Sequence, residues 1–484
     1  MKLLQELLSR LNVKSVIGDT RISISDIYFN SNHVTNSSLF IAIKGESHDG
    51  HDFILDAVSF GASAIICEKF PDKIIKNVAY VKVENSAFSL ALVASAFYNH
   101  PSRSIKLIGI TGTNGKTSTV YYLSELFSKL KYRVGVISTI ENKIINKKYP
   151  ATHTTPDPIA LNKLLAEMVN QNCEFCFMEV SSHGISQNRI QGLDFDIGVF
   201  TNISRDHLDY HNSFSDYVNV KKQFFDLLSK DAISIINIDD ANGSNMTLDT
   251  VSRKVLYSFK KQAHYNASLI ESNINGLSII IDDVEISTKL TGAFNAYNLL
   301  VTYVVAKELK QDKIKILKLL SDLSFVPGRF NILKSQSNIT GIIDYAHTPD
   351  ALKQVLQSIS SLCSLKKELI IVLGCGGNRD KGKRSIMGRI AAENSQLSIF
   401  TSDNPRWENP DSIIDDMCSG LSKSMCNNIK RITNREEAIS VAVNQASSGY
   451  IVLVCGKGHE KFQELNGVKS PFDDFLILQK FLKT

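Results

Sequence analysis

Short apolar runs alternate with segments of helical periodicity along most of the chain. Residues 105–110 and 175–180 are two such runs, and their length and apolar character predict strands buried on both faces of a sheet. Between these runs, Val120, Leu123 and Phe127 recur at intervals of three and four, which predicts a helix. Because strands and helices alternate in this way, we expect an α/β fold with largely parallel sheets and ligand crevices at the carboxyl ends of the strands.

The alternation divides the chain into three predicted domains. Residues 1–102 form an N-terminal α/β domain that ends in the polar, proline-containing stretch 99–102, and residues 103–329 form a central parallel-sheet domain. Residues 330–484 repeat the rhythm and are expected to form a Rossmann-like C-terminal domain. The predicted strands are residues 39–43, 64–67, 105–110, 133–138, 175–180, 197–201, 233–238, 277–281, 285–290, 341–343, 369–373, 397–400 and 451–454.

The N-terminal segment is apolar, but its pattern does not predict a signal peptide. Leu3, Leu4, Leu7, Leu8 and Leu11 recur at helical spacing between polar residues, which predicts an amphipathic helix. The net charge of +5 over 484 residues is not concentrated in a Lys/Arg block, so we expect no nucleic-acid or membrane partner. Eight scattered cysteines favour buried thiols in a reducing compartment. We therefore expect a cytoplasmic protein, a monomer, with small-molecule substrates.

A glycine-rich turn stands between the strand predicted at 105–110 and the helix that follows it. In such a context, glycines let backbone N–H groups approach phosphate oxygens at a helix N-terminus. Lys116 is predicted to reach the β- and γ-phosphates of ATP, and the Thr117 hydroxyl is predicted to bind Mg²⁺. Ile110 stands where the first glycine of a phosphate-binding loop is usual, so a glycine turn without a nucleotide is the alternative. The predicted ATP-binding residues of this loop are Thr113, Asn114, Gly115, Lys116, Thr117, Ser118 and Thr119.

Lys221 stands in the middle of an apolar helical stripe. Residues 214–228 place Tyr217 and Phe224 on one face of a predicted helix, and Lys221 falls between them while Lys222 falls near the edge. One interpretation is a lysine that extends its ammonium group to solvent. The other is a buried lysine, in which the neutral and reactive amine is favoured.

A series of motifs follows along the chain. They are GITGTNGKT (109–117), HTTPDP (153–158), MEVSSHG (178–184), RDHLDYH (205–211), GAFNAYN (292–298), PGR (327–329), DYAHTPD (344–350), GCGGNRDKGKR (374–384), DNPRWENP (403–410) and GKGHE (456–460). In order and content they resemble the Mur ligase family, and in particular its UDP-N-acetylmuramoyl-tripeptide synthetases. The resemblance covers nearly the whole chain. It implies an ATP-dependent ligase that adds the third amino acid of the peptidoglycan stem by way of an acyl phosphate.

The resemblance also implies catalytic and metal-binding residues. Lys116, His207 and Lys221 would be catalytic, with Lys221 carbamylated by CO₂. Thr117 and Glu179 would hold one Mg²⁺, and His207 with the carbamylated Lys221 would hold a second. Oxygen ligands and substrate phosphates together suit this metal.

Substrate-binding residues follow from the same resemblance. Further contacts to ATP are implied for Asn295, Arg329 and Asp344. The substrate UDP-N-acetylmuramoyl-L-alanyl-D-glutamate would bind at Ser31, Glu46, Ser47, His48, His153, Thr154, Thr155, Ser181, Gln187 and Arg189. The incoming amino acid, meso-diaminopimelate, would bind at Arg379, Asp403, Asn404, Pro405, Arg406, Gly456 and Glu460. Two positions depart from the family pattern, since Asn32 stands where arginine is usual and His153 where asparagine is usual.

Arg406 favours diaminopimelate as the amino acid over lysine. A guanidinium group can hold the second carboxylate of diaminopimelate, and a carboxylate such as Glu460 can hold an ammonium group. Taken singly, Arg406 could form a surface salt bridge and Glu460 could stabilise a helix start. The alternatives with the same chemistry are the lysine-adding ligase of the family and folylpolyglutamate synthetase. The alternative of another class is a P-loop ATPase that acts as a switch and needs no amine acceptor.

Overall fold

Helix-covered β-sheets organise the chain from end to end. The structure is a computed structural model that describes residues 1–45, 48–273, 275–360 and 368–483. Glu46 and Ser47, two of the predicted substrate-binding residues, lie outside the described residues. The sheets are mostly parallel and alternate with helices, so the predicted α/β class is confirmed.

The N-terminal sheet has the strand order β2-β7-β6-β5-β4, with β4 to β7 parallel and β2 antiparallel at the edge. The elements are β1 (Lys2–Leu3), α1 (Leu4–Leu8), β2 (Val13–Ile17), β3 (Ser23–Ile24), β4 (Ile27–Tyr28), β5 (Ser38–Ile41), α2 (Ile54–Ser59), β6 (Ala62–Cys67), β7 (Ala79–Val83) and α3 (Ser86–Phe97). The predicted N-terminal helix is present but short, because the residues before Leu4 pair as β1 with β3.

The central sheet has the strand order β11-β10-β9-β12-β8-β13-β14-β15-β16-β17-β18, parallel from β9 to β16 and antiparallel at both edges. The elements are β8 (Lys106–Thr111), α4 (Lys116–Lys129), β9 (Val134–Ile137), β10 (Glu141–Ile144), β11 (Lys147–Pro150), α5 (Pro158–Asn170), β12 (Phe175–Glu179), α6 (Ser182–Ser186), β13 (Ile197–Phe200), α7 (Phe214–Asp226), β14 (Ile233–Asn237), β15 (Arg253–Ser258), β16 (Tyr265–Asn273), β17 (Gly276–Ile281), β18 (Val284–Thr288), α8 (Ala293–Glu308) and α9 (Lys313–Leu320). Helices α4 and α8 pack on one face of this sheet, and α5 and α7 pack on the other.

The C-terminal sheet has the strand order β19-β20-β24-β21-β22-β23, with β19 antiparallel at one edge. The elements are β19 (Asn331–Lys334), β20 (Thr340–Asp344), α10 (Pro349–Ser360), β21 (Leu369–Cys375), α11 (Gly382–Asn394), β22 (Leu397–Ser402), α12 (Pro410–Cys418), α13 (Lys423–Cys426), β23 (Ile429–Arg431), α14 (Arg435–Gln445), β24 (Ile451–Cys455), β25 (Phe462–Leu465), β26 (Val468–Pro471) and α15 (Asp474–Lys483). The last two strands form a hairpin of their own.

The predicted linker at 99–102 is an ordered turn. Asn99 and His100 have φ values of 62° and 51°, and Pro101–Ser104 form a 3₁₀ helix. Across this turn, α3 packs against α5, and Ser95 Oγ donates to the Gly192 carbonyl at 3.0 Å. The N-terminal sheet is therefore fixed to the central one by direct packing as well as by the chain.

None of the helices in the described ranges is long and apolar enough to cross a membrane.

Candidate active site

A cavity of about 780 Å³ lies where the carboxyl ends of β8, β12 and β13 face the C-terminal domain. This is the end of a parallel sheet at which ligand crevices are expected. The structure thus brings together predicted phosphate-binding, metal-binding and substrate-binding residues from separate motifs. The predicted residues that line the cavity are Thr113, Asn114, Gly115, Lys116, Thr117, Ser118, Thr154, Glu179, Ser181, His207, Lys221, Arg329 and Asp344.

The phosphate loop between β8 and α4 is held by Asn202, in the loop that follows β13. The backbone N–H of Thr113 donates to the Asn202 carbonyl at 2.8 Å, and that of Asn114 donates to Asn202 Oδ1 at 3.0 Å. Lys116 Nζ folds over the loop and donates to the carbonyls of Gly112 and Thr113 at 2.7 and 2.8 Å. Since α4 begins at Lys116, its first N–H groups have no partner within the helix and offer an anion site beside the cavity.

Two glycines let this loop pack closely against its neighbours. Gly112 has a φ of 147°, and a Cβ there would lie 1.9 Å from Thr201 Oγ1. Gly115 has a φ of 85°, and a Cβ there would lie 2.7 Å from Asn298 Oδ1. The glycine that is additional to the usual loop pattern, Gly112, is therefore required by the contact with Thr201.

Lys221 is buried beneath the phosphate loop. Its residue exposure is 1%, its Nζ donates to the Gly112 carbonyl at 3.1 Å, and it lies 4.8 Å from the centre of the Tyr217 ring. The interpretation as a lysine that reaches solvent is therefore wrong. Burial, and after it the charge of Lys116, holds the pKa of Lys221 well below its ordinary value, which favours the neutral amine.

Oxygen donors for a metal ion lie in the cavity wall. Glu179, fully buried at the end of β12, accepts hydrogen bonds from Thr139 N at 2.8 Å and Thr139 Oγ1 at 3.1 Å. Thr117 lines the same cavity. Within the described residues, no group of three or more His, Cys, Asp or Glu side chains is arranged to hold a metal by itself. This donor set fits Mg²⁺, which is commonly held by one or two protein oxygens together with water and substrate phosphates.

Asp206, which is buried, and His207, whose side chain is 34% exposed, form a pair on the side of the cavity that faces the C-terminal domain. His207 Nε2 lies 3.4 Å from Asp206 Oδ2. Burial lowers the pKa of His207 to about 3, although Asp206 opposes this shift, so its ring is neutral near pH 7 and able to bind a metal. Burial alone would raise the pKa of Asp206, but the imidazoles of His207 and His347 and the ammonium of Lys383 hold it below its ordinary value. Asp206 lines the cavity but was not among the predicted site residues.

Arg329 and Asp344 reach the cavity from the C-terminal side. An Nη of Arg329 donates to Thr117 Oγ1 at 3.2 Å, and its guanidinium stacks 4.1 Å from the centre of the Tyr345 ring. Asp344 accepts two backbone hydrogen bonds, at 2.8 and 2.7 Å. Burial nevertheless raises the pKa of Asp344 to about 6. Arg329 therefore connects the phosphate loop to the last domain.

Asn295 does not line the cavity, although it was predicted to contact ATP. Its Oδ1 accepts from the Tyr122 hydroxyl at 3.1 Å and from Asn298 Nδ2 at 3.0 Å. Asn298, one helical turn further on, lines the cavity with Phe294 and Tyr297. The second asparagine of GAFNAYN was the available sequence signal for Asn298. Other lining residues that the sequence reasoning missed, and that carry no recognisable motif signal, include Asp240, Lys260, Gln354 and Val355.

Thr119, the last predicted residue of the phosphate loop, is fully buried in α4 and does not line the cavity.

The predicted muramoyl-substrate residues of the central domain form a connected group at the end of β12. Thr154 Oγ1 lies 3.0 Å from Thr139 Oγ1, and Thr155 Oγ1 donates to the Glu179 carbonyl at 2.8 Å. Arg189 donates through Nη1 to the Thr155 carbonyl at 2.6 Å and through Nε to Gln187 Oε1 at 3.0 Å. These side chains therefore surround one of the proposed metal ligands.

Ser31, His48 and His153 do not line the cavity. Ser31 is buried at the start of the 3₁₀ helix Ser31–His33, and His48 is exposed in the loop after β5. His153 Nδ1 lies 3.3 Å from Thr152 Oγ1, and burial lowers the pKa of His153. Their roles stay predictions.

The predicted diaminopimelate residues gather at the carboxyl ends of β21, β22 and β24. Asn404 Nδ2 donates to Glu460 Oε2 at 2.7 Å, and Lys457 Nζ donates to Asn404 Oδ1 at 3.0 Å and Glu460 Oε2 at 3.1 Å. Gly456 has a φ of 114°, and a Cβ there would lie 2.4 Å from Asp403 Oδ2. Burial, and after it Asp403, raises the pKa of Glu460. Lys457, which is fully buried, is a charged member of this group that the sequence reasoning missed.

Arg406 and Arg379 flank the glycine loop that follows β21. Arg406 has a φ of 53°, and its Nη1 donates to the Gly377 carbonyl at 2.7 Å. A Cβ at Gly376 would lie 3.1 Å from Arg406 Nη1 and 3.7 Å from Arg379 Cγ, and a Cβ at Gly377 would lie 1.9 Å from the Pro405 carbonyl oxygen. Two guanidinium groups beside the same glycine loop can hold a carboxylate.

Sequence and structure comparisons agree with this architecture. Models described as Mur ligase family, catalytic domain, Mur ligase middle domain, and Mur ligase, glutamate ligase domain match residues 23–98, 110–306 and 328–458. The UDP-N-acetylmuramoyl-L-alanyl-D-glutamate–2,6-diaminopimelate ligase of Cytophaga hutchinsonii is 46% identical over 482 residues, which cover 99% of this chain and 99% of the relative.

Solved structures give the same result. One of a UDP-N-acetylmuramoyl-L-alanyl-D-glutamate–2,6-diaminopimelate ligase is 30% identical with a TM-score of 0.69, and the match covers 99% of this chain and 98% of that one. The MurF ligase of Thermotoga maritima in complex with ADP is 18% identical with a TM-score of 0.62, covers 94% of this chain and 97% of its own, and shows the shared fold. The chain belongs to the Mur ligase family.

Proposed function

We propose that this chain uses ATP to join meso-diaminopimelate to the D-Glu γ-carboxylate of UDP-N-acetylmuramoyl-L-alanyl-D-glutamate, a step of peptidoglycan precursor synthesis. The observation that carries the proposal is the 46% identity over nearly the full length to a ligase named for these substrates. The guanidinium groups of Arg406 and Arg379, together with the Glu460 carboxylate, supply the charges that the second amino-acid end of diaminopimelate needs. The phosphate loop and the ADP bound to the Thermotoga maritima relative support the use of ATP.

The reaction has two steps. A γ-carboxylate oxygen attacks the γ-phosphorus of ATP, the bond to the ADP oxygen breaks, and an acyl phosphate forms. Lys116 and the N-terminus of α4 stabilise the negative charge on the transferred group. The diaminopimelate amine then attacks the acyl carbon and forms a C–N bond. The nitrogen loses a proton to water, the bond from the acyl carbon to the phosphate oxygen breaks, and phosphate leaves.

Thr117 and Glu179 would hold one Mg²⁺, and His207 with carbamylated Lys221 would hold a second. Each ion, when bound, would offset negative charge on the phosphates. The carbamate arises when the neutral amine of Lys221 adds to CO₂ and loses a proton. The product is an anionic oxygen ligand, which suits a hard cation. The depressed pKa of Lys221 supports this assignment.

We also propose that the chain divides into domains at residues 102 and 329, that it is a cytoplasmic monomer, and that the residues named above contact the substrates.

The proposal is tested by phosphate release from ATP in the presence of the UDP-muramoyl dipeptide, with diaminopimelate, lysine or no amino acid supplied in parallel. We expect release with diaminopimelate alone, together with a product of the matching tripeptide mass. Release with lysine would assign the chain to the lysine-adding ligases. Release that needs neither substrate would assign it to the ATPase switches.

Arg406→Ala tests the origin of specificity in the same assay. Its loss should lower the preference for diaminopimelate over lysine by roughly tenfold or more, because the second carboxylate loses a charged partner. Arg431→Ala is the control, since Arg431 forms an exposed ion pair with Asp415 in the same domain. An unchanged preference in Arg406→Ala would remove this residue from the specificity site.

A further inference from the structure

Two loops with reciprocal charges meet between the central and C-terminal domains. In the first contact, Nε of Arg205 in the central domain lies 3.9 Å from Oδ2 of Asp380 in the C-terminal domain. In the second, Nη1 of Arg379 in the C-terminal domain lies 4.0 Å from Oδ2 of Asp209 in the central domain. Each loop thus presents one cation and one anion to the other. We call these two contacts the inter-domain charge pairs. Because opposite charges alternate across the gap, a shift of either loop would bring like charges together.

Asp380 has one carboxylate oxygen without a hydrogen bond. Its Oδ1 accepts from the Gly382 N–H at 2.8 Å, while its Oδ2 is buried and has no partner. The Asp380 side chain is 10% exposed, and a buried acceptor that makes no hydrogen bond costs stability. Arg205 Nε faces this oxygen from about 1 Å beyond the usual hydrogen-bond distance. A small approach of the two loops would therefore complete the contact.

The same spacing recurs beside the cavity. Lys383 Nζ and His347 Nε2, both of the C-terminal domain, each lie 3.9 Å from the carboxylate of Asp206 in the central domain. A single approach of the two domains by about 1 Å would shorten these contacts and the inter-domain charge pairs together. Packed domain interfaces commonly change by such small rigid-body movements.

The glycine at the start of α11 leaves room for this approach. A Cβ at Gly382 would lie 3.1 Å from Arg205 Nη2 and 3.1 Å from Asp380 Oδ1, so an alanine there would press against both members of the pair. Its backbone is not among the positive-φ positions, and alanine is favoured over glycine in a helix. Gly382→Ala should thus disturb the Arg205 contact without weakening the helix.

We propose that Arg205 and Asp380 are positioning residues for the second step of the reaction. Their ion pair closes to hydrogen-bond distance and holds the glycine loop after β21, which carries Arg379, against the site of the acyl phosphate. The inference rests on the proposed function, in which Arg379 binds diaminopimelate. Arg205 and Asp380 act through the loop that they hold, so their effect falls on diaminopimelate and not on the muramoyl substrate.

A double-mutant cycle tests the pair. Asp380→Asn keeps an acceptor for the Gly382 N–H but removes the charge, and Arg205→Gln removes the partner. We expect each variant to raise the KM for diaminopimelate roughly tenfold, as for a hydrogen bond between charged groups, with the KM for the UDP-muramoyl dipeptide unchanged. The double variant should be no worse than either single one, and Arg205→Lys should recover part of the loss.

Two further variants separate positioning from folding. Gly382→Ala should raise the KM for diaminopimelate while its melting temperature stays at or above that of the wild type. Asp194→Asn is the control. It breaks the ion pair between Arg103 of the linker and Asp194 of the loop before β13, which lie 2.9 Å apart, and it should change neither KM.

The outcomes distinguish the inference from the function on which it rests. If the wild type uses another amine, the proposed substrate is wrong. Non-additive increases in the KM for that amine across the cycle would still support the positioning role. A wild type that uses diaminopimelate with additive or absent effects in the cycle overturns the positioning role alone.

Discussion

Burial sets the protonation state of the ionisable residues around the cavity. It moves the pKa of Lys221 well below its ordinary value, lowers that of His207 to about 3 and raises that of Asp344 to about 6. In each case the low-polarity surroundings disfavour the charged form. The cavity therefore presents a neutral amine and a neutral imidazole close to the phosphate loop.

Lys221 gives the sharpest prediction for a single residue. Lys221→Ala should lower kcat by roughly a hundredfold or more, since it would remove a proposed metal ligand. Wild-type activity should fall in CO₂-depleted buffer and return on addition of bicarbonate. The measurement is the rate of phosphate release with all substrates present.

Lys222→Ala is the matched control for this experiment. Lys222 follows Lys221 on α7 but pairs with Asp226 at 2.8 Å on the outside of the helix, so its loss should change kcat less than twofold, as for a surface ion pair. Full activity of Lys221→Ala in CO₂-depleted buffer would disprove the carbamate.

Asp344 predicts a pH dependence of ATP binding. With a raised pKa of about 6, its carboxyl is protonated below this pH and ionised above it. In the proposed ATP site the ionised form would accept hydrogen bonds from ATP hydroxyls, and the charge of Arg329 favours this form. The KM for ATP should therefore fall as the pH rises from 5.5 to 7.5, a range that includes the titration midpoint of Asp344.

Asp344→Asn should remove this dependence, because an amide does not titrate. The nearby His347 and His459 do not interfere, since burial lowers their pKa values to about 4 and about 3. A KM that keeps the same pH profile in Asp344→Asn would assign the titration to another group.

At the scale of the element, the phosphate loop depends on close backbone contact. Gly112→Ala would place a methyl group 1.9 Å from Thr201 Oγ1 in a backbone conformation that other residues rarely adopt. We expect it to abolish ATP binding, measured by calorimetry, and to lower the free energy of unfolding by roughly 3 kcal/mol.

Gly449→Ala separates backbone strain from the clash. Gly449 has a φ of 89°, but nothing lies within 4 Å of its hypothetical Cβ. The substitution should cost about 1 kcal/mol of stability and leave ATP binding unchanged. Equal effects of the two substitutions would show that backbone strain alone, without the clash with Thr201, explains the need for glycine at position 112.

Buried strands were easier to predict from the sequence than strands at the edge of a sheet. Strands β8, β9, β12, β13 and β14 of the central sheet were predicted within a few residues because their apolar runs are continuous; the strand predicted at 175–180 is Phe175–Glu179. The parallel strands β15 and β16 were missed, since β15 begins with two exposed charged residues and most of β16 is exposed. The hairpin of β10 and β11 was missed. Its strands, Glu141–Ile144 and Lys147–Pro150, lie at the edge of the sheet and carry polar, partly exposed side chains, so burial leaves little mark on their sequence.

At the scale of the whole molecule, the proposed ATP site is divided between two domains. Arg329 contacts Thr117 of the phosphate loop at 3.2 Å while it stacks on Tyr345 of the last domain. Asn114 Nδ2 also donates across the boundary, to Asp350 Oδ2 at 3.2 Å. We therefore expect nucleotide binding to depend on the relative position of the domains.

Arg329→Lys tests this coupling. A lysine keeps the charge but loses the planar stack and the fork of donors, so the KM for ATP should rise roughly tenfold. Arg253→Lys, at an ion pair with Glu308 away from the cavity, is the control and should have no effect. An unchanged KM in Arg329→Lys would leave the contact with Thr117 as a purely structural one.

The sequence by itself determined the fold class, the phosphate loop and the position of Lys221 on its helix. These features depend on local patterns, namely continuous apolar runs, a glycine turn before a helix and an apolar stripe that contains Lys221. Such patterns involve residues close together in the sequence, so they can be recognised without knowledge of the tertiary contacts.

The tertiary structure alone decided which side chains face each other. It showed that Lys221 is buried against the Gly112 carbonyl, that Asn298 and not Asn295 lines the cavity, and that Arg205 faces Asp380. These contacts join residues that are distant in the chain, and their burial sets the pKa values. Burial and distance are properties of packing, and packing is fixed only when the separate elements have come together.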